Sequence, residues 1–460
     1  MSALTDLLTI ITDGVQSIDS TCRAENIQYP GLDGHLSNEA EAIRNKHVDQ
    51  ANLAIAAAYQ LIATLSNPHA YLLSSVFGVH VTAALGVVEA ANIAEILREA
   101  GQMGLHVDEI AAKSGLHPGK IGRILRFLAT RHVFREVKPN IFTNNRISET
   151  LDTGKSVKIL QASRDNKWQS ITGVAAMVKH IADESTKSAA YFTETLLDPK
   201  TSHSMEPNKT SVQTAFGTDL STIGWLTTPE QASRLKVLEG AMASLVNIYS
   251  PPHALTRFGW ASLPEGSLVV DVGGGVGTAS LALAKVHKHL RYIVQDHPKV
   301  IEHGLQIHRE SKVEPVLDGT VRLQAHDFYG EQPVTNADVF FLRFVLHDWD
   351  DAHSTKILKR LRDAAKPSTK VVIMDNILDY AASEVERTSQ QPSVPSPLLP
   401  NLGMANALAY HMDIQMAIFT NAFERTLDQF DKLFKQSGWR LETVHRFPPP
   451  VLPQLVASPA

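Results

Sequence analysis

Leu268-Val-Val-Asp-Val-Gly-Gly-Gly-Val-Gly277, followed by Thr278-Ala-Ser-Leu-Ala-Leu-Ala-Lys285, is the stretch whose reading decides the fold. Its first five residues are aliphatic apart from Asp271, as in a parallel strand buried on both faces. Three consecutive glycines and a fourth at Gly277 form a turn that lets backbone approach a ligand closely. Small and straight-chain residues after it suit a helix. Strand, glycine turn and helix make the first crossover of an open α/β sheet, with a nucleotide-like cofactor over the turn. The glycines alone do not name that cofactor, because Gly275-x-Gly277-x-x-Ser280 also loosely fits the dinucleotide fingerprint.

Downstream, apolar runs alternate with helical ones. Tyr292 to Asp296, Val321 to Phe328, a strand within Ala337 to His347, and Lys370 to Asp375 continue the pattern. The helical run Asp351 to Ala365 places Ile357, Leu358 and Leu361 on one face. This alternation predicts a doubly wound, Rossmann-like parallel sheet. Leu427 to Ser437 reads as a further helix, and the segments from Trp439 and Pro453 as a closing hairpin. Residues 381 to 403 form a Pro/Ser-rich insertion expected to be mobile.

Ligands of such sheets sit at the carboxyl ends of the strands. Those ends carry Gly273 and Gly274, Asp296, Asp327 with Phe328, His347 and Asp375. Asp296 lies 19 residues past Gly277, the spacing of an acid that binds ribose hydroxyls. Asp327 and Phe328 offer an acceptor and a ring face for an adenine. Each acid could instead cap a helix. Histidines 287, 289, 297, 303 and 308 read as surface residues without carboxylate partners.

Upstream, residues 1 to 66 predict one or two helices broken around Tyr29-Pro30-Gly31. Ala51 to Leu65 is apolar on most faces, which suits burial against a partner subunit or against the chain itself. Val76 to Leu97 contains His80, Glu89, Asn92 and Glu95 and reads as a core helix pair, not a membrane span. A helix from Val107 stopped at Gly115, a second over Gly119 to Arg131, and two short strands around Lys138-Pro139-Asn140 predict a winged helix. Six Lys/Arg between 105 and 135 face only Asp108 and Glu109, so DNA binding is one reading. The other has Ile121, Leu125 and Leu128 in a core and the cations solvated or paired. Residues 151 to 260 read as mostly helical, with an exposed loop over 193 to 208.

With 460 residues, 20% charged and 43% hydrophobic, the chain is long enough for two or three domains with sizeable cores. A net charge of −5 gives no reason for a polyanionic partner. The single cysteine, Cys22, excludes an intramolecular disulfide and a multi-cysteine metal site. Met1 to Gly14 lacks a basic start and carries Asp6 and Asp13, so a cytoplasmic location is expected.

Taken together, Val270-Asp-Val-Gly-Gly-Gly-Val-Gly, Gln295-Asp-His-Pro, His326-Asp-Phe, Leu342-Arg-Phe-Val-Leu-His-Asp-Trp-Asp-Asp and Glu424-Arg-Thr resemble the caffeic-acid-type, S-adenosylmethionine-dependent O-methyltransferases, particularly fungal members acting on phenols and polyketides. The resemblance spans about residues 70 to 457. It implies a winged-helix dimerisation domain over 1–155 and a methyltransferase domain over 156–460. The latter divides into a helical acceptor segment, 156–260, and a Rossmann-like core, 261–460. It implies a homodimer, a small aromatic phenolic substrate, and neither nucleic acid, membrane nor metal as partner. By position, Gly273 and Gly274 would lie along the methionyl part, Asp296 on the ribose, and Asp327 and Phe328 on adenine. Arg343 stands where the family often has a lysine near the cofactor. His347 matches the catalytic base, with Asp375 and Glu424 at the flanking acidic positions, and Met242 and Met416 match methionines beside the acceptor. Asp375 is one methylene shorter than the family's usual Glu, which leaves its contact with His347 open. The insertion at 381 to 403 has no counterpart in the plant members.

The chemistry is consistent with this resemblance. A phenol has a pKa near ~10 and needs a base at neutral pH before it can attack a sulfonium methyl. Aligning the two reactants can recover roughly 7 to 11 kcal/mol of the barrier. Two other readings stand beside it: a winged-helix regulator that senses a metabolite, and an NAD(P)-dependent oxidoreductase, for which no Tyr-x-x-x-Lys-like pairing stands out.

Overall fold

Three helices, rather than one or two, open the chain: α1 (Ala3–Ala24), α2 (Asn38–Lys46) and α3 (Val48–Leu65). Ser37 starts α2, its hydroxyl accepting from the Ala40 N–H, so Pro30 and Gly31 fall in the connecting loop. The structure, a computed structural model, describes residues 2–162, 167–168, 174–382 and 394–460. In α3, Ala56 and Ala57 are buried against Leu7 of α1, while Ile55, Tyr59, Ile62 and Leu65 are exposed.

Helices α4 (Pro68–Val76), α5 (Val79–Ala90) and α6 (Ile93–Ala100) follow. The expected core pair over Val76 to Leu97 is α5 and α6, with Ala84, Val88 and Ile93 to Leu97 buried, whereas α4 before it is exposed throughout. Pro68–Ala90 has the length and composition of a membrane span, with a mean hydropathy of 1.7 over an 18-residue window, yet only 11% of that window is buried. That contradiction between composition and exposure calls for a covering surface.

The winged helix forms as expected, with α7 (Val107–Ser114), α8 (Pro118–Thr130) and the strands β1 (Leu105–His106), β2 (Arg135–Lys138) and β3 (Ile141–Thr143) in the order β1-β3-β2. Ile121, Leu125 and Leu128 are fully buried. Arg126 is bonded to Glu136 at 2.7 Å and Arg135 lies 3.5 Å from Asp33, so part of the positive charge is answered within the chain.

The second sheet holds β4 (Leu268–Val272), β5 (Arg291–Asp296), β6 (Val321–Ala325), β7 (Val339–Arg343) and β8 (Lys370–Met374) in parallel. Beyond them lies a corner pair, β9 (Ile377–Leu378) and β10 (Arg425–Thr426), and the hairpin strands β11 (Trp439–His445) and β12 (Gln454–Pro459). The order β11-β12-β8-β7-β4-β5-β6 puts the antiparallel hairpin outside β8. One face packs Ile357, Leu361, Phe430 and Phe434 against the sheet, and the other packs Leu283, Leu255 and Tyr249. The chain leaves β4 toward β5 on one side and later returns to fill β7 on the other. That reversal opens the crevice at the carboxyl ends of β4 and β7.

Two loop expectations change. Phe192–Leu197 is helical within the expected 193 to 208 loop. Of the insertion, residues 383–393 lie outside the described residues. Part of the remainder packs on the N-terminal helices: Leu398 is buried against α1 and α3, and Gln60 Nε2 donates to Pro397 O at 2.9 Å.

Candidate active site

The glycine turn is shaped by what a side chain would strike. Gly273 has φ +69°, and a Cβ there would lie 2.9 Å from Val345 Cγ2; one at Gly274 would lie 2.6 Å from Asp271 Cγ. Asp271 is buried and accepts from the Ser280 hydroxyl at 2.6 Å. Burial pushes its carboxyl up to about 6, with Ser280 and Arg343 opposing. Asp296 accepts from Gly275 N–H at 2.9 Å and from His297 N–H at 2.7 Å, so it ties the end of β5 to the turn. Burial raises its pKa against those two bonds.

The helix Pro298–Glu310 supports the same turn from behind. His308 Nε2 donates to Val276 O at 2.6 Å. The surface reading of the histidines is therefore wrong at two positions, His308 and His287, which are buried; the His303 side chain is 42% exposed but does have a carboxylate partner, Glu239 at 3.3 Å. Contacts 32 and 64 residues apart left no trace in local spacing.

At the far end of the crevice, Asp327 accepts from Tyr329 N–H at 2.9 Å. Phe328 and Tyr329 meet Trp349 edge-on, with ring centroids 5.8 and 5.3 Å away. Trp349 was within reach of sequence reasoning, two residues past His347, but carried no assigned role there.

His347 follows β7 on a short strained turn. Phe344 has φ +54°, a conformation a bulky side chain adopts only when its surroundings impose it. The ring of Phe344 lies 5.0 Å from that of His347, and Tyr249 closes on Phe344 at 5.5 Å. His347 is buried, with Nδ1 bonded to Glu424 Oε1 at 2.9 Å. Asn376 Nδ2 donates to the same oxygen at 2.9 Å, and Asp413 accepts from Glu424 N–H. Nε2 makes no hydrogen bond among the described residues; Asp348 Oδ1 lies 3.8 Å away.

Burial alone would lower the His347 imidazole. Glu424, then Asp348 and Asp375, outweigh burial and push it up to about 10. Asp348 is the most screened of the three, its side chain being 39% exposed. Asp375 is fully buried but does not hydrogen-bond His347; its Oδ1 accepts from Val345 N–H at 3.3 Å. Burial pushes Asp375 up to about 6. Tyr249 is pushed up to about 12 by burial and by Glu424, so its hydroxyl stays neutral and is no rival base. Arg343 lies in the field of Asp271 and Asp375.

Met177, Met412 and Phe344 pack against the apolar cluster that contains Tyr249. Met416 is buried one turn further along its helix, and Met242 is 43% exposed, two turns before Tyr249. Sequence reasoning also missed a second buried pair, His180 Nδ1 with Glu184 Oε1 at 3.0 Å, set edge-on to Phe419. A π-helical turn over Ile181–Ser185 accompanies it, a feature frequent at functional sites. Among the described residues no group of three or more His, Cys, Asp or Glu could hold a metal ion.

A family model described as an O-methyltransferase domain matches residues 204–440, and one described as an O-methyltransferase dimerisation domain matches residues 73–154. The chain is 38% identical over 470 residues to an O-methyltransferase of Armillaria gallica, covering 100% of this chain and 99% of that one. It is 37% identical to 4-O-methyltransferase 1 of Phanerochaete chrysosporium, covering 97% and 96%. Among solved structures, CalO1, a methyltransferase in calicheamicin biosynthesis in its SAH-bound form, shares the fold with a TM-score of 0.62. It is 22% identical and is covered over 98% of its length by 85% of this chain.

Proposed function

Because the chain belongs to the S-adenosylmethionine-dependent O-methyltransferase family, we propose that its acceptor is a small aromatic carrying a phenolic hydroxyl and that His347 takes the hydroxyl's proton. The observation that carries this reading is the buried His347–Glu424 bond at 2.9 Å, which spends Nδ1 and leaves Nε2 for the acceptor. Glu424 fixes the ring's orientation and stabilises the imidazolium formed on proton uptake. Asp375 acts through the field and through Val345, and so is a positioning residue.

The crevice fits the cofactor. At Gly273 and Gly274 a Cβ would fill the turn, Asp296 supplies a carboxylate beside it, and Phe328 with Trp349 supplies ring surface. In this reading Gly273 and Gly274 hold the methionyl part, Asp296 the ribose, Asp327 and Phe328 the adenine, and Arg343 lies nearby. When bound, S-adenosylmethionine supplies an electrophilic methyl on a sulfonium. The chain's own work is to align the acceptor oxygen and accept its proton.

The test of function is a panel of phenols incubated with methyl-labelled cofactor. Label on a phenolic oxygen is the expected outcome; label only on amines or carboxylates would overturn the phenolic reading. Asp296→Ala is expected to weaken cofactor binding about 10- to 150-fold by calorimetry, the worth of a charged hydrogen bond. Unchanged affinity would remove Asp296 from the ribose.

Residues 1–155 are read as the dimerising domain and 156–460 as the catalytic one. The exposed apolar faces of α3 and α4 are then the seam of a homodimer, and Pro68–Ala90 is apolar for that reason. Light scattering is expected to give twice the chain's 50.4 kDa at micromolar concentration. Leu72→Glu with Leu73→Glu should shift the mass toward one chain; a wild-type monomer would overturn the seam.

A further inference from the structure

Behind the His347–Glu424 pair the described residues enclose a second cavity, of about 110 Å³. Its walls include Asn376 and Ile377 at the β8–β9 corner, Ala409 of the Ala407–Phe419 helix, Leu402, and Phe447 and Val451 between β11 and β12. Two features set it beside the catalytic pair. Asn376 donates to Glu424 Oε1, so one wall is the back of the catalytic pair. Phe447 and Val451 pack in the same apolar cluster as Tyr249, Phe344 and Met412.

The roof is supported by a part of the chain that precedes the matched dimerisation residues 73–154. Val394, Leu398 and Leu402 pack on Leu7, Leu53 and Ala56 of α1 and α3. Asn52 Nδ2 donates to Pro449 O at 3.1 Å, and Gln60 to Pro397 O at 2.9 Å. Among the described residues of the wall the one cation, Arg446, is bonded to both carboxylate oxygens of Asp379, at 3.1 and 3.2 Å. Arg446 and Asp379 offset each other's charge, and apart from Asn376, Tyr380, Asn401 and Asn406 the other described lining residues are apolar. A charged occupant would lose its hydration without gaining a counter-ion.

We propose that this cavity is the distal part of the acceptor site and takes an uncharged apolar substituent, an alkyl chain or second ring, carried by the aromatic acceptor. The inference rests on the phenolic reading above. It makes the acceptor larger than a bare monocyclic phenol and gives the N-terminal helices a role in substrate choice.

The test is a series of para-alkylphenols, from methyl to hexyl, bound to the full-length protein in the presence of S-adenosylhomocysteine and followed by calorimetry. Affinity should rise about fourfold per methylene, the usual worth of burying one, and level off when the cavity is full. Ala409→Phe, which fills the cavity, should flatten the series, while Ala409→Gly should keep its slope. A wild-type series with no slope overturns the inference and needs no variant to be read. The binding readout is separate from turnover. A sloped series without methyl transfer would fail the phenolic reading, and methylation with a flat series would fail only the cavity.

Discussion

His347→Gln is expected to lower turnover on a weakly acidic phenol about 10²- to 10⁴-fold while leaving cofactor affinity near that of the wild type. Gln keeps an amide for Glu424 and roughly the same volume but cannot accept a proton at neutral pH. The loss should shrink as the acceptor hydroxyl becomes more acidic, because an ionised phenolate needs no base. The pH dependence sharpens the test. With its imidazole pushed up to about 10, His347 in the free enzyme is mostly protonated at neutral pH. For a weakly acidic phenol, kcat/KM should therefore climb with pH over several units toward 10. In His347→Gln that rise should be replaced by one that follows the acceptor's own pKa. A loss that ignores acceptor acidity would make His347 a positioning residue, and full turnover in the variant would end the assignment.

The same shift has a stability consequence. A folded-state pKa raised above the ordinary 6.5 stabilises the fold fully below about pH 6.5, and that contribution is lost as pH rises toward 10. The stability difference between wild type and His347→Gln should be widest near pH 6 and narrow on the alkaline side. Urea unfolding at pH 6 and 9.5 measures it.

Arg425→Met is expected to destabilise the catalytic domain by about 3 to 5 kcal/mol, the cost of breaking a buried charged network. The Arg425 side chain is 1% exposed. Its guanidinium donates to Asp351 Oδ1 at 3.0 Å, Leu346 O at 2.8 Å, Trp349 O at 2.7 Å and Ser354 Oγ at 3.1 Å. Two of those acceptors bracket His347, so the fork clamps the turn that presents the base to Glu424, the residue beside it in sequence. Met fills similar space but leaves both carbonyls without that donor. The denaturation midpoint should fall with little change in its denaturant slope. Residual turnover under folding conditions should fall with it, as the turn loosens. Arg425→Lys should restore the charge but not the fork, and less than half of the loss. An unfolding free energy within about 1 kcal/mol of the wild type would show that the turn holds without the clamp.

The strand, turn and helix around Leu268 to Gly277 were legible because a buried parallel strand demands a continuous apolar run and the turn demands glycine. The sheet alternation, the winged helix and the strand-end acids followed from the same local rules, periodicity and stop signals. So did His347 and Glu424, but only as members of a recognised pattern. Local rules could not bring the two together across 77 residues. The tertiary structure alone decided that Glu424, and not Asp375, bonds the imidazole. Asp375 accepts from the Val345 N–H instead. It alone decided that Met416 is buried and Met242 is 43% exposed, because helix rotation is set by packing against neighbours. It buried His308 under the glycine turn, where a reading of local spacing saw a surface residue. It left α4 bare, since an apolar run has the same sequence whether it faces a core, a membrane or a second copy. Composition determines that such a face must be covered; only the arrangement of the whole chain decides which faces are left over.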